Sequence, residues 1–575
     1  MAELERTHIR LGNLRLAILA VFVVIAWLAF AKHLFSAWWL SVPLLSFIFL
    51  AAHHSRILRR RTLAERAVKV YQSGLARIAD KWSDLRRTGE EFSDPHHVYA
   101  ADLDLFGPGS LFQLLSLART RMGEATLACW LLSPATIEQV RARQEAVIEL
   151  RDKLDLREDL AVLGEDAGIG VRPKSLLRWA ESANLLTQRW LLVLSRVLAA
   201  AAIATAILWA FSGQAVPFVA VVAVESIVFY RLRRALNAVL HETEHAFENL
   251  DLISAMLARL EQESFTTPLL KNLAESLTSH HKPGSIAIAR LRKLVDLSMS
   301  RDNFFLRLLD IPLMYSVQVA VGVERWRREH GRAVRRWLDN IAQAESLLSL
   351  AGYSYEHPAD PLPELVEGLP VFHAQELGHP LLSALVCMRN DVALGGSTRV
   401  LMVSGSNMSG KSTLLRAVAI NTVLALAGAP VRARHLRLTP LQVGASIRIN
   451  DSLQEGNSRF YAEIKRLRQI YDLTDHPPPL LFLLDELLQG TNSQDRRIGA
   501  EGIVRALIQH GAIGLVSTHD LALTSIAVPG PDHVQNVHFE DELEEGHIKF
   551  DYRLRDGVVT KSNGLALMRS IGLDV

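Results

Sequence analysis

Residues 405–412 read Gly405-Ser406-Asn407-Met408-Ser409-Gly410-Lys411-Ser412, the spacing G-x-x-x-x-G-K-[ST], with Thr413 next. The run follows the apolar stretch RVLMVS and precedes a helical pattern, the setting in which a glycine-rich loop cradles phosphate. Gly405 and Gly410 let backbone N–H groups approach the phosphates, and the helix N-terminus adds partial positive charge. In such a loop Lys411 reaches the β- and γ-phosphates, and the Ser412 hydroxyl ligates Mg²⁺. Residues Gly405, Ser406, Asn407, Met408, Ser409, Gly410, Lys411, Ser412 and Thr413 are therefore the candidate ATP-binding set.

A second element completes that chemistry. Leu481-Phe482-Leu483-Leu484-Asp485-Glu486 is an apolar strand pattern ending in two carboxylates. Asp485 is placed to hold Mg²⁺, together with Ser412. Glu486 is placed to orient or activate the attacking water. An acidic pair after a strand is common by itself; downstream of a phosphate loop it points to Mg²⁺-dependent ATP hydrolysis. A third strand pattern, GAIGLV, leads into Ser517-Thr518-His519-Asp520, where an imidazole can sense the γ-phosphate. Glu486, His519 and Lys411 are the candidate catalytic residues.

These groups need a scaffold that delivers strand ends to one edge. From residue 371 short apolar runs alternate with helical patterns, which predicts a βαβ arrangement with a largely parallel sheet over 371–575. Upstream, 63–188 and 232–356 carry apolar residues at helical spacing, and Ser133 with Pro134 suits a helix start. The Pro-rich stretch 357–370 reads as a linker. Two cysteines, Cys129 and Cys387, exclude a disulfide framework and a cysteine-based zinc site. Net charge is +2, from 63 basic and 61 acidic residues, which argues against a polybasic nucleic-acid binder.

The chain is 49% hydrophobic, with mean hydropathy +0.15, and the apolar residues cluster. Stretches 16–31 and 34–52 each approach the length of a bilayer span, and a second block covers 190–211 and 215–230. A signal peptide would need a cleavage site and a polar mature chain, whereas a second apolar stretch follows at once. For 190–230 the alternative is a hairpin buried in a soluble domain; charged flanks around a nearly uncharged interior favour the membrane. Arg6, Arg10 and Arg15 precede the first stretch, and Arg56, Arg59, Arg60 and Arg61 follow the second. Arg189 precedes the third, Arg231, Arg233 and Arg234 follow the fourth, and the first tip carries only Lys32. The positive-inside rule then puts both termini in the cytoplasm of a multi-pass protein of the cell (inner) membrane. Arg196 and Glu225 fall at similar depth in the second hairpin, where they either pair or Arg196 snorkels to the headgroups. The expected organisation is a transmembrane hairpin (1–62), a helical unit (63–188), a second hairpin (189–231), a second helical part (232–356), the linker (357–370) and the ATPase unit (371–575).

At this point a family resemblance becomes specific. Asn407-Met408 in the phosphate loop, and Asp485 through Ser493 with Gly490-Thr491, resemble the ATPase domain of MutS proteins within the wider ABC-type ATPases. Asn457-Ser458-Arg459-Phe460-Tyr461-Ala462-Glu463 resembles the family's signature loop, with Arg459 where Thr is usual. Leu377-Gly378-His379-Pro380, Val537-His538-Phe539 and Lys561 to Ala566 resemble further ATPase segments. Thr120 to Gly123, Trp130 to Leu132 and Arg143-Gln144 resemble the start of the MutS lever. The resemblance implies an α/β P-loop NTPase domain of ABC/MutS type, preceded by an all-α lever-like domain and the transmembrane hairpins. It implies ATP and Mg²⁺ as cofactors and a homodimer in which Ser458 acts in trans on the partner's nucleotide.

The departures are equally specific. No mismatch-reading domain is expected before residue 101, and no Phe-x-Glu wedge occurs. The second apolar hairpin lies where the family inserts its DNA clamp, and Cys387 stands in place of an aromatic that packs on adenine in many relatives. The expectation is a membrane-anchored, MutS-like ATP hydrolase that moves helical arms. The alternatives are a mismatch repair protein on mismatched or branched DNA, and the motor of a membrane complex. Partners are a second copy of the chain, the lipid bilayer and an unknown membrane or nucleic-acid partner; no mismatch-reading motif supports DNA.

Overall fold

The computed structural model describes the chain except residues 1, 32–35, 84–86, 166–172, 187, 189, 247–249, 280–281, 302, 407, 449–458, 521–522, 525–533, 545–546 and 560–575. Lys32, Arg189, Asn407, Ser458 and the closing segment 561–566 lie outside the described residues.

The N-terminal 356 residues are mostly helical. Their spine is the helix Tyr315–Glu356, 42 residues long, about 63 Å at 1.5 Å per residue. It buries Trp326, Val334, Trp337, Leu347 and Leu350, and packs against helices Arg121–Leu132, Ile137–Arg151 and Gly284–Ser300. The first of these starts at Thr120, whose side chain accepts from the Gly123 N–H. The second starts at Thr136, through a reciprocal capping box with Gln139. Ser133, expected to open a helix, closes the preceding one instead; the Thr136–Gln139 pair satisfies two end groups, which Ser133 with Pro134 does not. Close approach of the spine to Arg121–Leu132 requires Gly123, because a Cβ there would collide with Glu345. Glu345 accepts from the Arg119 N–H (2.8 Å), the Thr120 N–H (3.2 Å) and the Thr120 hydroxyl. Burial pushes its carboxyl up to about 7.

Among the described residues three helices are long and apolar enough to cross a membrane: Glu5–Phe30, Trp38–Ile78 and Trp190–Ser212. They expose large apolar side chains, among them Val23, Trp27, Phe49 and Phe211. The fourth apolar stretch belongs to helix Val216–Ala246, which is not among the three. Arg196 and Glu225 do not pair: Arg196 is exposed, whereas Glu225 is fully buried with neither carboxylate oxygen hydrogen-bonded among the described residues. Helix Ser41–Ile78 continues past its apolar part and ends against the spine. There Arg77 makes a two-pronged ion pair with Glu356, at 2.7 and 2.5 Å, with both side chains largely buried.

The C-terminal unit holds two sheets. In chain order the strands are β1 (Glu364–Leu365), β2 (Phe372–Leu377), β3 (Asn390–Leu394), β4 (Val400–Ser404), β5 (His435–Leu438), β6 (Gln442–Ser446), β7 (Leu480–Asp485), β8 (Ile513–Thr518), β9 (Val534–Glu544) and β10 (His547–Asp556). A four-stranded sheet runs β1-β5-β2-β3 and a six-stranded sheet runs β10-β9-β4-β8-β7-β6. In the larger sheet five neighbouring strands are parallel, and β10 closes it antiparallel to β9. β4, β7 and β8 are buried almost throughout, as strands covered on both faces must be.

The stretch 357–370 does not behave as a free linker. The Val431 N–H donates to the Pro361 carbonyl (2.9 Å), Val366 N–H donates to Leu438 (3.0 Å), and Arg432 pairs with Asp360 at 3.4 Å. Within it Glu364–Leu365 forms β1, so the smaller sheet begins ahead of the expected boundary at 371.

Candidate functional site

Parallel register delivers the chemistry to one edge. Thr518 lies beside Ser404, and Ser517 lies beside Asp485, so β4, β7 and β8 end together. The phosphate loop, Glu486 and His519 follow those ends, and Asp485 is the last residue of β7, at the edge where open α/β sheets hold ligands. Gly405 and Gly410 have φ of 151° and 102°. A Cβ on Gly405 would press on the Ser409 hydroxyl, and one on Gly410 would meet the Tyr552 ring at 3.1 Å. Helix Lys411–Ala427 then runs inward, buried on nearly all sides between the sheet and the helical unit.

Lys411 is 5% exposed, and its ammonium donates to the carbonyls of Gly405 (2.9 Å) and Ser406 (2.7 Å). Burial pulls its pKa down, and the nearby Glu486 and Asp485 oppose that shift. The Ser412 hydroxyl donates to Asp485 Oδ2 at 2.5 Å, and the Ser517 hydroxyl donates to Asp485 Oδ1. Glu486 has φ of 51°, a left-handed conformation held by its N–H donating to the Ser517 carbonyl and hydroxyl, both at 3.2 Å. Its carboxylate accepts from the Gln489 side-chain amide, and His519 Nδ1 lies 3.3 Å from its other oxygen.

Lys411, Ser412, Thr413, Asp485 and Glu486 line a cavity of about 600 Å³ together with Met408 and Gly410. His519 reaches this group through Glu486 rather than by lining the cavity. Met408 is 85% exposed at the mouth, an orientation that leaves its side chain free of the loop's own packing. For Mg²⁺, the donor set is Ser412 and Asp485: two hard oxygens already in contact. That suits an ion which keeps several waters and takes its remaining ligands from phosphates. Among the described residues no cluster of three or more His, Cys, Asp or Glu side chains offers a separate metal site.

On the opposite wall the sequence pointed to Cys387 and did not mark Tyr552. Tyr552 lines the cavity with Val386, Cys387, Met388 and Asn390. Asn390 fixes it there, donating to the Tyr552 carbonyl (3.0 Å) and accepting from the Leu554 N–H (2.7 Å). Tyr552 itself has φ of 54°. A tyrosine in a late strand carries no local signal; only the β9–β10 pairing brings it over Gly410. His379 also lines the cavity, and burial, with help from Arg416, pulls its pKa down to about 4, so the ring is neutral.

A second unforeseen element is the loop around Asp102. The Asp102 carboxylate accepts from the backbone N–H of Ile447 (2.9 Å) and Arg448 (2.6 Å). Asp104 pairs with Arg416 at 3.3 Å and with Arg448. One loop of the helical unit thus grips the phosphate-loop helix and the backbone just before residues 449–458. Beyond that segment, helix Arg459–Asp472 is held by Glu463, which accepts from the Leu488 N–H at 2.6 Å, and by Arg466 on the His97 carbonyl at 2.8 Å.

Comparison with known proteins agrees with this geometry. Residues 401–574 match the family model for MutS domain V. The chain is 35% identical over 197 residues to an endonuclease MutS2 from Thermus thermophilus, covering 34% of this chain and 25% of that protein. It is 31% identical over 268 residues to a DNA mismatch repair protein MutS 2 from Halobacterium salinarum, covering 44% and 29%. It is 32% identical over 262 residues to a DNA mismatch repair protein MutS from Brevibacillus brevis, covering 44% and 30%. The chain therefore spans between a quarter and a third of the length of these relatives.

Proposed function

We propose that this chain is a membrane-anchored, MutS-like ATPase of the inner membrane that hydrolyses Mg²⁺·ATP between two copies of itself and moves its helical arms with nucleotide state. The observation that carries the reading is the convergence of Lys411, Ser412, Asp485 and Glu486 on one cavity beneath a phosphate loop. Loop N–H groups and Lys411 take the phosphates, Lys411 exchanging the Gly405 and Ser406 carbonyls for phosphate oxygens. Ser412 and Asp485 would hold Mg²⁺, which would supply charge neutralisation at the phosphates. Glu486, oriented by Gln489 and His519, accepts the proton of the attacking water. Tyr552, Val386 and Met388 form the apolar wall on which a base can lie.

Phosphate release from Mg²⁺·ATP by the full chain tests the activity: release that stops when Mg²⁺ is chelated is expected, and no Mg²⁺-dependent release overturns the reading. Two of the relatives are named for DNA mismatch repair and one as an endonuclease, but similarity over so little of their length does not bring that chemistry to this chain.

The membrane half of the proposal rests on the apolar helices and their arginine flanks. Gly213, with φ of 74°, makes the turn between Trp190–Ser212 and Val216–Ala246. Reporter fusions at Gly213 and at residue 575 are expected in opposite compartments. Finding both on one side would make the second hairpin a soluble element.

A further inference from the structure

Helix Ser41–Ile78 leaves a cavity of about 400 Å³ where its last two turns lie against the end of the spine helix. That is within the size range of small-ligand sites. Its walls are largely apolar, including Leu75, Ile78, Leu117, Leu160 and Leu348. The walls carry Arg77, Arg119 and Arg157 beside Glu158, Glu345 and Glu356, and their pairing is uneven. Glu356 is taken by Arg77, and Glu158 accepts from the Tyr71 hydroxyl at 2.7 Å. Glu345 is enclosed by the Arg119 and Thr120 donors. Arg157 donates to the Arg151 carbonyl at 2.6 Å and lies over the Tyr355 ring. Arg119 has no carboxylate at ion-pair distance among the described residues, and its Nε is buried without a hydrogen bond. It also lines an adjoining cavity of about 490 Å³ with Lys69, Arg77 and Arg87. Each of those three has its own carboxylate, in Glu165, Glu356 and Glu124.

We infer that this cavity binds a soluble anionic amphiphile, a single alkyl chain ending in a phosphate or carboxylate. The chain lies along Leu75, Ile78 and Leu348, and the anion meets Arg119 and Arg157. An apolar groove whose wall holds a half-buried guanidinium with no carboxylate partner among the described residues fits a molecule having both halves, since an anion alone leaves the groove wet and an alkane leaves Arg119 unpaired. The source is solution rather than the bilayer. The cavity starts at Val70, about 18 residues past the apolar stretch 34–52 on one continuous helix, which at 1.5 Å per residue is roughly 27 Å beyond the membrane. This step rests on the membrane reading of 34–52. An occupant there sits between the membrane helix and the last turn of the helix leading into the ATPase unit.

The test uses the full chain in phosphatidylcholine nanodiscs, with bound ligand counted by native mass spectrometry. Dodecyl phosphate is added from solution; inorganic phosphate, and phosphatidic acid built into the disc, are separate arms. One dodecyl phosphate per chain is expected, saturably. Binding should weaken about tenfold or more in Arg119→Gln and be lost in Ser73→Trp, which fills the mouth, with Arg157→Gln as the second charge variant. Thermal unfolding of each variant shows that it is folded. Uptake equal in wild type and all folded variants overturns the proposal. So does inorganic phosphate binding as tightly as dodecyl phosphate, or binding only in the phosphatidic acid arm. None of these readouts involves ATP, so their failure leaves the ATPase reading standing, and the reporter fusions judge the membrane reading separately.

Discussion

Glu486→Gln should bind Mg²⁺·ATP and hold it, while phosphate release falls by about two to three orders of magnitude. The substitution keeps the shape of the side chain and its contact with Gln489, and it leaves the Glu486 N–H on Ser517. It removes the carboxylate proposed to take the proton from water. Lys411→Ala should behave differently, since the cation meeting the phosphates goes and nucleotide binding goes with it. Retained nucleotide and released phosphate are measured on the same samples. Turnover by Glu486→Gln within a fewfold of wild type would remove Glu486 from the water-activating role. Loss of binding in both variants would mean that the Gln side chain disturbs the Ser412–Asp485 pair, 2.5 Å apart, rather than the chemistry. His519 offers an internal check. It touches Glu486 and does not line the cavity, so His519→Ala should lower turnover by less than Glu486→Gln.

What could be read from the sequence was whatever is encoded locally. The phosphate loop is legible because two glycines, a lysine and a serine must keep fixed spacing to wrap a phosphate, and a strand and a helix must flank it. Asp485 and Glu486 are legible because an all-apolar strand ending in acid is a local pattern. The partners that hold these groups are not local. Asp102 acts on Ile447 and Arg448 across some 345 positions of chain, and nothing around Asp102 marks it. Tyr552 reaches Gly410 only through the pairing of β9 with β10. The Pro-rich look of 357–370 hid β1, because a two-residue strand depends on β5 to exist at all. Arg196 and Glu225 matched in sequence depth, but helical rotation decided otherwise: one faces out and the other in.

Two inactive chains should restore each other. Lys411→Ala and Ser458→Arg are each expected to abolish hydrolysis, yet a mixture that forms mixed dimers should recover roughly a quarter of wild-type activity, if pairing is random and the two sites of a twofold dimer act independently. The reason is geometric. If Ser458 completes the partner's nucleotide site, a mixed dimer concentrates both lesions in one composite site and leaves the other intact. If Ser458 instead serves its own chain, every site in the mixture carries a lesion and nothing returns. Ser458 lies outside the described residues, but both flanks of its segment are anchored: Ile447 and Arg448 by Asp102 on one side, Glu463 by Leu488 on the other. The Leu488 anchor follows Glu486 by two residues, so the helix that follows the segment is tied to the same loop that carries Glu486. Nucleotide held between two such surfaces would act as the adhesive, and hydrolysis would loosen the pair and respace the helical arms through the Asp102 and Asp104 contacts. Phosphate release from the mixture, with mixed dimers counted by two distinguishable tags, decides the matter: demonstrated mixed dimers without recovered activity would remove Ser458 from the partner's site.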